Sequence, residues 1–241
     1  MQHSIESAIE KIKSAKQPIS FSGAGLSAES GIATFRDKSE HALWAKFDPV
    51  QLASQQGFND NPARVIDWYN WRRRSVAEAE PNAAHKTLGA QSNWLHITQN
   101  VDQLLEAGGA AEADVIHLHG TITRDHCNSD CGYSEMVDMG NPEGLHNCPD
   151  CGDYLRPSVV WFGEALPEAE LMRAADAVQN TDLMLVVGTS AAVMPAARLI
   201  DIARENGADI IIVNTEQTAT AADSDIELIG KAGDLMAELF S

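Results

Sequence analysis

The chain has 241 residues, enough for one large domain or a core with a smaller satellite. Hydrophobic residues make up 44% and charged residues 22%, ordinary values for a globular protein that argue against disorder, collagen and coiled coil. With 17 Lys and Arg against 35 Asp and Glu, the net charge of −18 repels phosphate backbones and anionic lipid, which argues against nucleic-acid and membrane-surface partners.

Ile5, Ile9 and Ile12 recur at helical spacing among Glu6, Glu10, Lys11, Lys13 and Lys16, which predicts an amphipathic helix over residues 1–16 and not a signal peptide. The longest apolar runs are strand length, far short of the ~20 residues a membrane span needs, so a cytoplasmic location is expected. Apolar runs bounded by turn residues recur at 18–22, 94–98, 115–118, 183–187, 210–213 and 225–229, with helix-length segments between them. Continuous runs of this kind suit strands buried on both faces, and their alternation with helices predicts a parallel α/β sheet. One helix is expected to start near Pro195, to turn Leu199, Ile200 and Ala203 inward and to end at Gly207. Residues 31–81 carry no evident strand and residues 121–156 carry the cysteines. Both read as insertions into one sheet domain, together forming a smaller lobe.

Asn61 and Pro62 predict a helix start, after which Val65, Tyr69, Arg72 and Val76 follow at spacings of four, three and four and should face inward. Arg72 then stands beside Tyr69 where an apolar residue is expected, while Arg73 and Arg74 read as a solvated face. An inward guanidinium needs an anion, and Arg with a Tyr hydroxyl suits a carboxylate ligand. The alternative is a structural pairing with Glu78 or Glu80, or a guanidinium reaching out to water.

All four cysteines lie in one stretch, Cys127, Cys131, Cys148 and Cys151, spaced C-x3-C and C-x2-C. Without an export signal their thiols stay reduced, and two such knuckles can wrap one tetrahedral Zn2+. Four thiolates leave no open position for water, so this zinc is expected to hold structure.

After the first predicted strand comes Gly23-Ala24-Gly25-Leu26-Ser27-Ala28, a G-x-G-x-x-A turn whose glycines would let the backbone approach a pyrophosphate. Such a turn also occurs without a ligand, and the acidic ribose contact of dehydrogenases is absent about 20 residues on. Other strand ends are polar too: Gln99, Asn100, Val101 and Asp102; His119 and Gly120; Gly188, Thr189 and Ser190; Asn214, Thr215 and Glu216. In an open α/β sheet these ends converge on one crevice. Taken singly, Asn100 or Ser190 could cap a helix and His119 could be a satisfied structural histidine. His117 and His119 share a strand face; His119, nearer the strand end and followed by Gly120, is the better general-base candidate.

The run from Gly23 to Arg36, Thr98 to Asp102, His117 to Gly120, the four cysteines, Arg156 to Glu164, Gly188 to Ser190 and Asn214 to Glu216 resemble, in order, the signature blocks of the sirtuins, NAD-dependent protein lysine deacylases. The resemblance implies a Rossmann-like NAD-binding domain formed by 1–30, 82–120 and 157–241. It also implies a small lobe made of a helical module (31–81) and a zinc module (121–156). Gly23, Ala24, Gly25, Ser27, Phe35, Arg36, Gln99, Asn100, Val101, Asp102, Gly188, Thr189, Ser190, Asn214, Thr215, Glu216 and Ala232 would line the NAD site. His119 would be the base, with Asn100 and Asp102 in the catalytic set and Asp102 holding the nicotinamide carboxamide. Val160, Phe162, Gly163 and Glu164 would bind the substrate backbone as an added strand. Tyr69-Asn70-Trp71-Arg72 resembles the Tyr-x-x-Arg pair of the bacterial class that removes succinyl and malonyl groups, and Ala53 resembles its small pocket residue. The expected protein is a monomer acting on acyl-lysine proteins. An NAD-dependent ADP-ribosyltransferase, or a deacetylase with no carboxylate preference, would use the same parts. Two departures stand out: Leu104-Leu105 replaces a Leu-His pair, and residues 37–43 lack a usual glycine and are two residues longer.

Overall fold

A computed structural model describes residues 2–34 and 49–241. Phe35, Arg36 and the altered stretch 37–43 lie outside the described residues. The elements run α1 (Gln2–Ser14), β1 (Pro18–Ser22), a 3-10 segment (Ala24–Ser30), α2 (Pro49–Leu52), α3 (Gln55–Asp60), α4 (Pro62–Ala77), α5 (Ala83–Gly89) and β2 (Leu95–Thr98). They continue with α6 (Leu104–Ala107), β3 (Val115–His117), β4 (Gly120–Cys127), β5 (Ser134–Met136), β6 (Leu155–Val159), α7 (Glu168–Asn180) and β7 (Leu183–Val187). The chain then forms α8 (Arg198–Glu205), β8 (Asp209–Asn214), β9 (Ile226–Ile229) and α9 (Ala232–Leu239).

Six strands form a wholly parallel sheet in the order β3-β2-β1-β7-β8-β9. Period-two geometry divides each strand between two cores. Leu183, Leu185, Val187, Ile211 and Val213 pack with Ile5 and Ala8 of α1, Leu88 of α5 and Leu235, Met236 and Leu239 of α9. Met184, Val186, Ile210 and Ile212 point to the other face, against Ala174 and Val178 of α7 and Leu199, Ile200 and Ala203 of α8. Burial on both faces is why these strands read as unbroken apolar runs instead of alternating ones. The regular part of α8 begins at Arg198, three residues later than expected from Pro195. Tighter i→i+3 turns precede it, in which Arg198 N–H donates to Pro195 O at 3.0 Å and Leu199 N–H to Ala196 O at 3.1 Å.

The chain leaves this sheet twice. Strands β5-β4-β6 form a separate antiparallel sheet, and the described helices of the first excursion share a core with it. There Leu52, Phe58, Val65, Ile66, Trp68 and Tyr69 pack with Ile122, Val159 and Trp161. Asn61 caps α4 as expected, its Oδ1 accepting from Arg64 N–H at 3.1 Å.

On α4 the expectation for Arg73 is overturned. Its side chain is 1% exposed, because α4 buries the Ile66, Asn70 and Arg73 ridge along with the Val65 and Tyr69 ridge. A buried guanidinium is tolerable only when fully engaged. Arg73 Nη2 pairs with Asp125 Oδ1 on β4 at 2.5 Å, Nε donates to Ile122 O at 3.0 Å and Nη1 donates to Asn70 Oδ1 at 3.0 Å. Arg74 is exposed, as expected.

Candidate active site

Strand order reverses direction on either side of β1 and β7, and in α/β sheets that switch point opens the ligand crevice. Two glycine loops close it from below. Gly23 N–H donates to Val187 O at 3.1 Å and Gly25 N–H to Gly188 O at 2.8 Å. A Cβ on Gly25 would stand 2.7 Å from Gly188 Cα, and Gly188 itself has φ +61, so a side chain at either position would push the loops apart.

Above these loops the polar strand ends do come together. Gln99 Nε2 donates to Thr189 Oγ1 at 3.0 Å, joining β2 to β7, and Asn214 Nδ2 donates to Thr189 O at 3.1 Å, joining β8 to β7. Asn100 caps none of the described helices: its Nδ2 donates to Ser27 Oγ at 3.0 Å. Ser27 Oγ donates to Asp102 Oδ2 at 2.7 Å, while Asp102 Oδ1 accepts from Leu104 N–H at 3.1 Å and holds the start of α6.

A residue that sequence reasoning missed completes this network. His85 on α5 is fully buried, with Nδ1 accepting from Asn82 N–H at 3.3 Å. Its proton therefore lies on Nε2, which donates to Ser27 Oγ at 3.3 Å. Ser27 thus accepts twice and donates once, which exhausts a hydroxyl. Burial depresses the His85 pKa, consistent with the neutral ring this pattern needs. The available signal was Asn82-x-x-His85, which forms a capping box at the start of α5.

His119 Nδ1 donates to Gln99 O at 3.1 Å. A carbonyl only accepts, so in the neutral ring the lone pair is on Nε2, which has no hydrogen-bond partner among the described residues. Burial lowers the His119 pKa below the ordinary imidazole value, against a smaller opposing effect of the Gln99 hydrogen bond. The site therefore holds a neutral imidazole with one nitrogen tethered and the other free to take a proton.

The stretch after β6 reaches the same place: Val160 N–H donates to His119 O at 3.0 Å and Phe162 N–H to Ala53 O at 2.8 Å. Glu164 is engaged by the protein itself, pairing with Arg156 at 2.6 Å and accepting from Trp161 N–H at 2.8 Å. Beside this stretch, Ala53, Tyr69 and Trp161 belong to one apolar cluster. Trp161 Nε1 donates to Tyr69 Oη at 2.9 Å, which occupies an acceptor position of that hydroxyl and leaves its proton available. Arg72 is half-buried, with its guanidinium carbon 5.0 Å from the Trp68 ring and 5.6 Å from the Tyr69 ring. Among the described residues it makes no ion pair, so the pairing with Glu78 or Glu80 is not formed. Burial pulls its pKa down, partly offset by Tyr69 and Asp102. Of the remaining expected residues, Val101 and Ala232 are buried, Ser190 is half-buried, and Thr215 and Glu216 are exposed at the end of β8.

The four cysteine sulfurs lie within 4.8 Å of one another, with Cys127 and Cys151 at 3.3 Å and Cys131 and Cys148 at 3.5 Å. A tetrahedron of Zn–S bonds near 2.3 Å needs sulfurs about 3.8 Å apart, so the donor set fits one Zn2+ and leaves no ligand position open. Among the described residues no helix is long and apolar enough to cross a membrane.

Fold and site together define an α/β protein with a parallel sheet, a separate antiparallel sheet, a nucleotide-type crevice and a cysteine cluster fit for a metal. The chain matches the Sir2 family over residues 23–195 and belongs to it. It is 43% identical over 242 residues to NAD-dependent protein deacylase 1 of Pseudomonas aeruginosa, with 96% of each chain covered. It is similar to a solved Sir2 homologue–NAD complex, with 41% identity, a TM-score of 0.87 and coverage of 98% of this chain and 92% of the other. It is also similar to a Sir2 structure bound to a myristoylated histone peptide, with 31% identity, a TM-score of 0.78 and coverage of 100% and 96%.

Proposed function

We propose that this chain is an NAD-dependent protein-lysine deacylase that removes acetyl groups and also succinyl or malonyl groups. The observation that carries the activity is the neutral His119 ring with a free Nε2, set among polar strand ends at the switch point. The kinship with NAD-dependent deacylases and with an NAD complex supports the cofactor.

When bound, NAD supplies an electrophilic sugar carbon, nicotinamide as leaving group, and the ADP-ribose on which the acyl group ends. The protein's part is orientation and proton transfer, because an amide oxygen is a feeble nucleophile. Gly23, Ala24, Gly25, Gln99, Asn100, Ser190 and Asn214 would line the dinucleotide, with Asp102 toward the carboxamide. His119 Nε2 takes the proton of a sugar hydroxyl. Val160, Phe162 and Gly163 would pair with substrate backbone; Gly163 has φ +89 and nothing within 4 Å of where a Cβ would stand. Main-chain pairing reads few side chains, which suits acyl-lysine in many proteins. Four cysteine thiolates would hold a structural zinc.

The acyl preference rests on Arg72, a half-buried cation that forms no ion pair among the described residues, beside a Tyr69 hydroxyl that still has a proton to give. Such a pair suits a terminal acyl carboxylate. The test is NAD-dependent release of acetyl, malonyl and succinyl groups from matched lysine peptides, compared as kcat/KM. Arg72→Met should cut desuccinylation by about tenfold to a hundredfold, the value of a charged hydrogen bond, and spare deacetylation. Equal loss on all peptides refutes the preference, and labelled ADP-ribose transferred to protein would point to a transferase instead.

A further inference from the structure

His117 is left unused by this mechanism. It sits at the end of β3, two residues before His119, with 18% of its side chain exposed. Its Nε2 lies 2.6 Å from Glu106 Oε1 on α6, and its Nδ1 lies 3.0 Å from Asn100 O. A carbonyl and a carboxylate both accept, so both ring nitrogens must carry protons, and the ring is an imidazolium. Glu106 needs that charge, since its second oxygen is buried and has no partner among the described residues. The two histidines thus divide the work on consecutive carbonyls: charged His117 holds Asn100 O, and neutral His119 holds Gln99 O. These tethers hold the start of the loop that carries Asn100 and Asp102.

We propose that His117, held as an imidazolium by Glu106, is a positioning residue for deacylation: it pins the Asn100 carbonyl and thereby aims Asn100, Asp102 and the carbonyl that orients His119. The proposal rests on the deacylase reading above. The titratable groups facing the pair are Asp102 in the loop after β2, His96 on β2 and His85 on α5, the two histidines interacting with Glu106. The Glu106 hydrogen bond and charge hold the His117 pKa above the ordinary imidazole value despite burial. Loss of its proton at alkaline pH should therefore slacken the loop.

The test combines three measurements on the full chain. Nitrogen-15 NMR should show both His117 nitrogens protonated at pH 7, and a neutral tautomer there would overturn the proposal. Glu106→Gln, chosen because it keeps shape and fold, should move the alkaline fall of kcat to lower pH and lower kcat at pH 8 about tenfold, with peptide KM little changed. Glu106→Asp should restore part of the loss. Unchanged kcat and an unchanged pH profile in both Glu106→Gln and His117→Gln would overturn the positioning role. If the wild-type chain proved inactive on every acyl peptide, the deacylase reading would fall separately. Calorimetry with NAD would still judge the pair, through weaker binding in His117→Gln or no change at all.

Discussion

Arg73 on α4 and Asp125 on β4 form an ion pair of 2.5 Å with 1% and 5% of their side chains exposed, tying the helix that carries Tyr69 and Arg72 to the sheet that leads into the cysteines. Burying two charges costs several kcal/mol each, which the pairing roughly offsets, whereas removing one partner leaves the other stranded. Arg73→Met should therefore lower stability by about 3–5 kcal/mol in urea unfolding. Replacing both partners with apolar residues should recover most of that loss, and a double variant as unstable as the single would contradict the account.

His119 should set the acid limb of activity. Its neutral form is the base, and burial lowers its pKa, so turnover should persist below the ordinary imidazole value near 6.5 before falling. A limb at or above that value in kcat/KM against pH would be inconsistent with this environment. His119→Gln should cost about 10²–10⁴ in kcat, the usual worth of a positioned base.

His96 makes folding itself acid-sensitive. It is 1% exposed, with Nδ1 2.8 Å from Ser20 Oγ, and burial pushes its pKa down to about 4. Between pH 6.5 and 4 the unfolded chain binds a proton that the folded chain refuses, so stability falls as pH falls through that window. The full contribution is about 3 kcal/mol. Comparing urea unfolding of wild type and His96→Asn at pH 7 and 4.5 should give a shallower loss for the variant; parallel losses would assign the acid sensitivity elsewhere.

The cysteine module has almost no core of its own: its buried cluster is Cys127, Cys148 and Leu155, with Tyr133 against them. Metal binding must stand in for packing there. Elemental analysis should find about one zinc per chain. A strong chelator should open residues 128–150 to protease while leaving the parallel sheet protected, because its two cores lie apart from this cluster. Protection unchanged after metal removal would contradict a structural role.

Much of the fold was legible in local pattern. Runs such as 183–187 read as doubly buried strands because both faces of a parallel sheet are covered, and α4 was marked by Asn61 and Pro62 because capping is a local hydrogen bond. The cysteine cluster was legible for the same reason, since ligand spacing is written in the chain. Arg73 was misread because spacing along one helix ridge says nothing about a carboxylate 52 residues away.

By itself, the sequence determined the α/β class, the cysteine metal centre, the glycine turn and the polar residues at the strand ends, all properties of near neighbours in the chain. Only the tertiary structure decided protonation and partnership. His119 is neutral because burial outweighs the pull of the Gln99 carbonyl that its Nδ1 meets just past β2, and His117 is charged because α6 offers it Glu106. Ser27 is saturated because α5 brings His85 beneath it. Hydrogen-bond roles depend on which acceptor a distant element presents and how much water burial excludes, and neither is encoded in residue spacing.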